Sequence, residues 1–156
     1  MAGIGTRIAG DPKDVLRQMP LFAGCTAKEL ARADSLLCHV SVQEGEVMCR
    51  EGETGEQVFL IAEGEAFVSI RDQAIATLGP GSFCGELALL DGAPRVASVT
   101  AATDVLAFVA TRREFSALLN EIPAIAHRMM TTIGTRLRIA DRAFSPALAN
   151  AFDREG

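Results

Sequence analysis

Between His39 and Ala110 the chain is written as short apolar or alternating pieces: HVSV, EVMCR, QVFLIAEG, EAFVSIR, AIATLG, RVASVTA and DVLAFVA. Gly45, Gly52, Gly55, Gly64, Gly79, Gly81 and Gly92 stand between them. Pieces this short do not sustain a helical stripe, and glycine at the junctions permits the tight reversals that short strands need. This punctuation constrains the fold more than any other feature. It predicts a mainly β chain, an antiparallel β-roll or jelly-roll barrel. AEGEAF, residues 62–67, reads as a hairpin turn with Gly64 at positive φ.

The flanks of this region read as helices. Asp11 caps PKDVLRQM, Pro12 fits the first helical position, Val15, Leu16 and Met19 share a face, and Pro20 ends the run. Thr26 with Glu29 three residues on is a capping-box pattern ahead of Leu30, Ala33 and Leu37. After Val109 the apolar period lengthens again. Thr111 caps a helix with Phe115, Leu118 and Leu119 inward. Ile122, Ile125, Met129, Ile133, Leu137 and Ala140 then recur at steps of three and four. The barrel therefore carries N-terminal helices and two C-terminal helices, the last one long. Met129, Met130 and Ile133 offer a seam for a homodimer through helix 122–142, or a cover for the barrel mouth.

Charge and composition remove several functions. The net charge of −5 gives no general attraction to nucleic acid, and the basic runs at 112–114 and 127–142 read as solvated helix faces. With no tyrosine or tryptophan and eight phenylalanines, the chain has little material for stacking bases. Cys25, Cys38, Cys49 and Cys84 form neither a C-x-x-C pair nor a Cys/His metal cluster, and read as reduced thiols. The first twenty residues lack a signal-peptide core, and no apolar run approaches the roughly 20 residues that span a bilayer. A soluble cytoplasmic protein of one domain, without membrane association, is expected. His39 and His127 stand apart from any nucleophile and the carboxylates are scattered, so neither an enzyme nor a metal site is expected.

One stretch carries chemistry: FCGELALLDGAPRVAS, residues 83–98. Gly79, Gly81 and Gly85 remove side chains where a ligand or the chain itself must approach, and ELALL reads as one helical turn starting at Glu86. The N–H groups of a helix start attract anions. Asp91, Gly92, Ala93 and Pro94 make a turn that returns Arg95 over that start, where its fork and the amides suit a phosphate. Glu86 would repel a phosphate but accepts readily from a sugar hydroxyl. Spacing alone equally allows an Arg95–Glu86 salt bridge that merely closes a loop. Neither a P-loop lysine nor a dinucleotide fingerprint is present.

The run GPGSFCGELALLDGAPRVASVTA closely resembles the phosphate-binding cassette of cyclic-nucleotide-binding domains, the family that includes the catabolite activator protein and the regulatory subunits of cyclic AMP-dependent kinase. VQEGEVMCREGETGEQVFLIAEGEAFVSI, residues 42–70, resembles the family's glycine-punctuated first barrel half. The resemblance covers residues 13–142 as one domain and leaves 1–12 and 143–156 as flexible ends. It implies a 3',5'-cyclic nucleotide as ligand. Gly85, Leu87 and Ala88 match backbone contacts to the cyclic phosphate and ribose, and Glu86 matches the carboxylate that takes the ribose 2'-hydroxyl. Arg95 matches the arginine on the exocyclic phosphate oxygens, with Val96 and Ala97 completing the clamp through the main chain. Val96 stands where members selective for cyclic GMP often carry a hydroxyl, so cyclic AMP is expected ahead of cyclic GMP.

Further implications concern the base and the output. Cys84 replaces the aromatic or aliphatic residue of many relatives and is expected to be buried and inert. Ala140 and Asp141 occupy the positions of base-contacting hydroxyls, of which only Asp141 can accept from an adenine amino group. Leu137, Arg138 or Ile133 is left to cover the base. Ligand binding would draw the cassette helix inward and swing helices 112–142, shifting open and closed populations. Fifteen residues follow Asp141, too few for a helix-turn-helix, so direct sequence-specific DNA binding is not expected and the effector is a separate protein or domain. Two alternatives accompany this reading: a degenerate member that serves as a scaffold or dimerisation module, and a sensor-only relative of a transcription regulator.

Overall fold

The computed structural model describes residues 10–144, with side chains as far as Ile139. The capping signals act as expected. Ahead of α1 (Pro12–Gln18), the Asp11 carboxylate accepts from the Lys13 N–H at 3.0 Å. Thr26 and Glu29 exchange both bonds of the capping box, at 2.9 and 3.1 Å, and launch α2 (Ala27–Leu36). Pro20 does more than end α1. It opens a 3₁₀ turn, Pro20–Phe22, that drives Leu21 and Phe22 into the core.

Eight strands follow: β1 (Cys38–Val42), β2 (Val47–Cys49), β3 (Gln57–Glu63), β4 (Ala66–Ile70), β5 (Gln73–Leu78), β6 (Phe83–Cys84), β7 (Ser98–Ala101) and β8 (Val105–Thr111). They form two antiparallel sheets, ordered β1-β8-β3-β6 and β2-β7-β4-β5, the jelly roll with flanking helices that the punctuation predicts. β3 and β8 are buried on both faces. Val58, Leu60, Phe108 and Ala110 join a core beneath the helices, while Phe59, Ile61, Ala107 and Val109 join a second one between the sheets. This double burial explains why QVFLIAE and VLAFVA are continuous apolar runs rather than alternating ones.

Two strand assignments change. The turn at Gly64 has φ of 89° as expected, yet it is not a hairpin, because β3 pairs with β6 and β8 while β4 pairs with β5 and β7. It is a corner between sheets: a Cβ at Gly64 would lie 2.2 Å from the Asp104 carbonyl oxygen, so the loop before β8 closes directly over it. The hairpin is β4–β5, whose turn places Arg71 and Asp72 at φ of 52° and 63°. Without glycine there, the usual signal is missing. The RVASVTA piece pairs only from Ser98, leaving Arg95, Val96 and Ala97 in the preceding loop.

After β8 come α4 (Arg112–Glu121) and α5 (Pro123–Phe144). The Glu114 carboxylate accepts from the Thr111 N–H at 2.9 Å, and Phe115 and Leu118 turn inward. Ile122, Ile125 and Met129 are buried and Ile133 packs against them, but Leu137 is 62% exposed. The long stripe therefore outruns the core it covers. Of the expected dimer seam, Met129 belongs to the chain's own core, and Met130 is exposed with Leu137 and Ile139. Ala140 and Asp141 lie outside the described side chains.

Candidate functional site

The stretch around Glu86 folds as a short helix, α3 (Glu86–Asp91), between two left-handed glycines, Gly85 at φ 89° and Gly92 at φ 70°. Asp91 accepts from the Ala93 N–H at 2.9 Å and shapes the turn that sends the chain back. Backbone bonds from Gly52 to the Arg95 carbonyl and from Arg95 to the Glu53 carbonyl, at 2.8 and 2.9 Å, then pin Arg95 beside the loop after β2. Its guanidinium does arrive at the start of α3. A Cβ at Gly85 would stand 2.6 Å from Arg95 Nη1 and 2.6 Å from the Gln57 carbonyl oxygen, so only glycine leaves room. Gly55 serves the same end, since a Cβ there would be 2.6 Å from the Ala88 Cβ and 3.1 Å from Arg95 Cζ. Gly79 and Gly81 do not: the first faces open space and the second meets Pro20.

Arg95 has only neutral acceptors here. Nη1 donates to Cys49 Sγ at 3.0 Å and Nη2 to the Gln57 carbonyl at 3.1 Å. The salt bridge that closes a loop is absent, because Glu86 pairs with a different arginine. Arg136 on α5 donates from Nη1 to Glu86 Oε1 at 3.3 Å and from Nη2 to the Phe83 carbonyl at 2.9 Å. Its guanidinium also lies 4.5 Å over the Phe83 ring, a cation–π contact. Glu86 is 4% exposed. Burial raises its carboxyl above the usual range, opposed by its own N–H and by Arg136 and Arg95. At the far end of α3, Arg112 donates from Nη1 to the Leu89 carbonyl at 3.0 Å. Both C-terminal helices therefore hold α3, one at each end.

The expected residues are thus unevenly placed. Gly85, Glu86, Ala88 and Arg95 converge, with Ala88 buried against Gly55. Leu87 is exposed, Val96 is 59% exposed and Ala97 is half-buried. Cys84 is buried as expected but not solitary, since it shares the small core between the sheets with Cys49. The neighbouring Cys84 thiol and the Arg95 charge lower the Cys49 thiol below its usual value, against the pull of burial. The Cys49 thiol and burial raise Cys84.

Cys49, Gly55, Gln57, Arg112 and Arg136 were not singled out from the sequence. The basic runs at 112–114 and 127–142 are the available hints, and neither is simply a solvated face: Arg112 holds the Leu89 carbonyl, Arg128 donates to the Leu21 carbonyl at 3.3 Å and Arg136 reaches the cassette. Nothing local separates these from Arg138. A cleft of about 390 Å³ opens between the sheets, lined by Val40, Val42, Met48 and Phe59 among others, but no α3 residue lines it. Among the described residues no group of three or more His, Cys, Asp or Glu is placed to hold a metal, and no helix is long and apolar enough to cross a membrane.

Comparisons with known proteins agree with one another. The cyclic AMP receptor protein of Thermus thermophilus is 30% identical over 131 residues, covering 81% of this chain and 61% of that protein. A cAMP-dependent protein kinase regulatory subunit of Pyricularia oryzae is 34% identical over 118 residues, 74% of this chain and 30% of that one. The crystal structure of the Thermus thermophilus catabolite activator protein superposes with a TM-score of 0.72 at 30% identity, over 80% of this chain and 61% of that one. The chain thus spans less than two thirds of the length of these relatives. The family model for the cyclic nucleotide-binding domain matches residues 39–121, more than half of the sequence and all of β2 to β8, and the chain belongs to that family.

Proposed function

We propose that the chain binds a 3',5'-cyclic nucleotide at the α3 cassette, cyclic AMP ahead of cyclic GMP, and passes binding to an effector through α4 and α5. The observation that carries this reading is the state of Arg95: a guanidinium packed against side-chain-free Gly85, holding a sulfur and a carbonyl but no carboxylate. Such a fork keeps its charge available for a phosphate, which offers stronger charge-assisted bonds than either neutral acceptor. Gly85, Leu87 and Ala88 supply backbone contacts, with Val96 and Ala97 beside Arg95 in the loop.

Glu86 supplies the link to the output. A ribose 2'-hydroxyl donating to this carboxylate shares it with Arg136 of α5. Ligand and helix meet at one group, so binding is coupled to the position of α5. Arg112 adds a second attachment, from α4 to the end of α3. The preference for cyclic AMP rests on Val96, which has no hydroxyl to offer guanine.

Calorimetric titration of the full chain with cyclic AMP and cyclic GMP, with Arg95→Ala alongside, tests the reading. Cyclic AMP binding at micromolar level or tighter, weakened about 100-fold or more by the substitution, is the expected result. Absence of heat from either nucleotide, in protein shown to carry no co-purified ligand, overturns it in favour of a scaffold with a retired site.

A further inference from the structure

Cys49 and Cys84 belong to different sheets, Cys49 to β2 beside β7 and Cys84 to β6 beside β3. They meet under the cassette. Cys84 immediately precedes Gly85, and a Cβ on Gly85 would sit 3.6 Å from Cys49 Sγ. Both lie in the small core between the sheets, each thiol shifting the pKa of the other, and Cys49 Sγ accepts from Arg95 Nη1 at 3.0 Å. Both are buried, 3% and 5% exposed, with the Arg95 guanidinium packed over half-buried Gly85 beside them, so a small oxidant reaches them as Arg95 moves aside.

We propose that Cys49 and Cys84 are a peroxide-sensitive dithiol whose oxidation to a disulfide ties the two sheets together beneath the cassette and releases Arg95 toward phosphate. The roles follow from the surroundings. Cys49, beside a guanidinium and receiving a hydrogen bond, is the attacking sulfur, and Cys84 resolves the product. The Cys49 thiolate attacks one oxygen of a hydroperoxide: an S–O bond forms, the O–O bond breaks, and the departing oxygen takes the thiol proton and leaves as water or an alcohol. Cys84 sulfur then attacks the sulfenic sulfur of Cys49. The S–S bond forms, the S–O bond breaks, and hydroxide leaves with the Cys84 proton as water. Two electrons pass from the sulfurs to the peroxide, and a dithiol reductant reverses the change.

The consequence for binding rests on the cyclic-nucleotide reading above. In the reduced state Cys49 competes with phosphate for Arg95. A disulfide sulfur is a poorer acceptor and carries no proton to lose, so oxidation tightens cyclic AMP binding by about fivefold, the worth of one competing hydrogen bond.

The test uses the full chain carrying Cys25→Ser and Cys38→Ser, with the wild-type chain mapped in parallel in case that background folds poorly. Hydrogen peroxide is added, the intact mass and linked peptides are read, and cyclic AMP is titrated before oxidation, after it, and after dithiothreitol. Loss of two hydrogens with a Cys49–Cys84 linked peptide, and reversible tightening, is the expected result. With Cys84→Ala added, Cys49 gains oxygen and no link forms. Absence of the linked peptide overturns the dithiol, whatever the nucleotide does. A linked peptide with unchanged or weaker binding overturns its effect on Arg95. If the reduced protein binds no nucleotide, the functional reading fails, and the peptide map still decides the dithiol.

Discussion

The two cores of this chain are built from different materials. Beneath the helices, Leu16, Phe22, Leu30, Phe108, Ile122 and Ile125 are all but completely buried. Between the sheets the filling is smaller, Val42, Cys49, Ala66, Cys84, Val99, Ala101 and Ala107 around Phe59 and Ile61. Glu86, the buried charged residue among the described ones, stands with Arg95 near this second core, close to its two cysteines. The first core uses large apolar surface and supplies stability. The second uses small side chains that let backbone, thiols and guanidinium approach one another closely. The difference teaches that α3 is held in two ways: it packs on β3, and Arg112 and Arg136 reach it from α4 and α5.

The comparison breaks if mutations in the two regions have the same consequences. The largest effect on folding is expected from Phe108→Ala: a loss of about 3–5 kcal/mol by chemical denaturation, with nucleotide affinity of the remaining folded protein unchanged. Gly85→Ala comes next. A left-handed φ and two 2.6 Å approaches, one of them to backbone, should cost about 1–3 kcal/mol of stability and weaken binding as well. Gly45→Ala, at φ 88° with open space around it, should cost about 1 kcal/mol and leave binding alone. Equal binding losses at both glycines would show that Gly85 acts only through its φ.

Arg136→Ala sharpens the other half of the comparison. Cyclic AMP affinity should fall about tenfold in calorimetry, because Glu86 loses its charged partner and turns away from the ribose. Protection of α5 from proteolysis by cyclic AMP should be lost at the same time, which a purely local role for Arg136 would not produce.

The smallest effect is on pH dependence. Burial raises the Glu86 carboxyl above its ordinary value of 4.5. Between that value and the raised one the folded protein holds a proton that the unfolded chain has released, so stability falls as pH rises through this window. Above it the cost of the buried charge is fully present. Glu86→Gln removes that cost, and thermal melts should show the variant gaining on wild type as pH rises from 4 to 7. A difference independent of pH would mean that Glu86 does not titrate with folding. Cyclic AMP binding should be weakened in the same variant, a site residue that trades stability for binding.

Much of this was legible because it is local. Asp11, Thr26 and Thr111 announce helix starts through bonds to residues at most three positions away. The cassette stretch is contiguous too, so Gly85, Glu86 and Arg95 were readable as one unit, although spacing left open whether the arginine met the carboxylate. The β4–β5 hairpin was hidden, since Arg71 and Asp72 take positive φ without the glycine that usually marks it. β6, two residues long, had no run of its own to show.

What the sequence determined by itself was the alphabet of the fold: short strands, capped helices and a glycine-bounded loop whose turn aims an arginine back at a helix start. These follow from backbone sterics and from hydrogen bonds that close over a few residues. The tertiary structure alone decided which sheet each strand joins, that Arg136 rather than Arg95 holds Glu86, and that Cys49 lies against Cys84. Each of those contacts joins segments far apart in the chain. Only the packing of the two sheets and the last helix against one another selects these partners among several chemically equivalent ones.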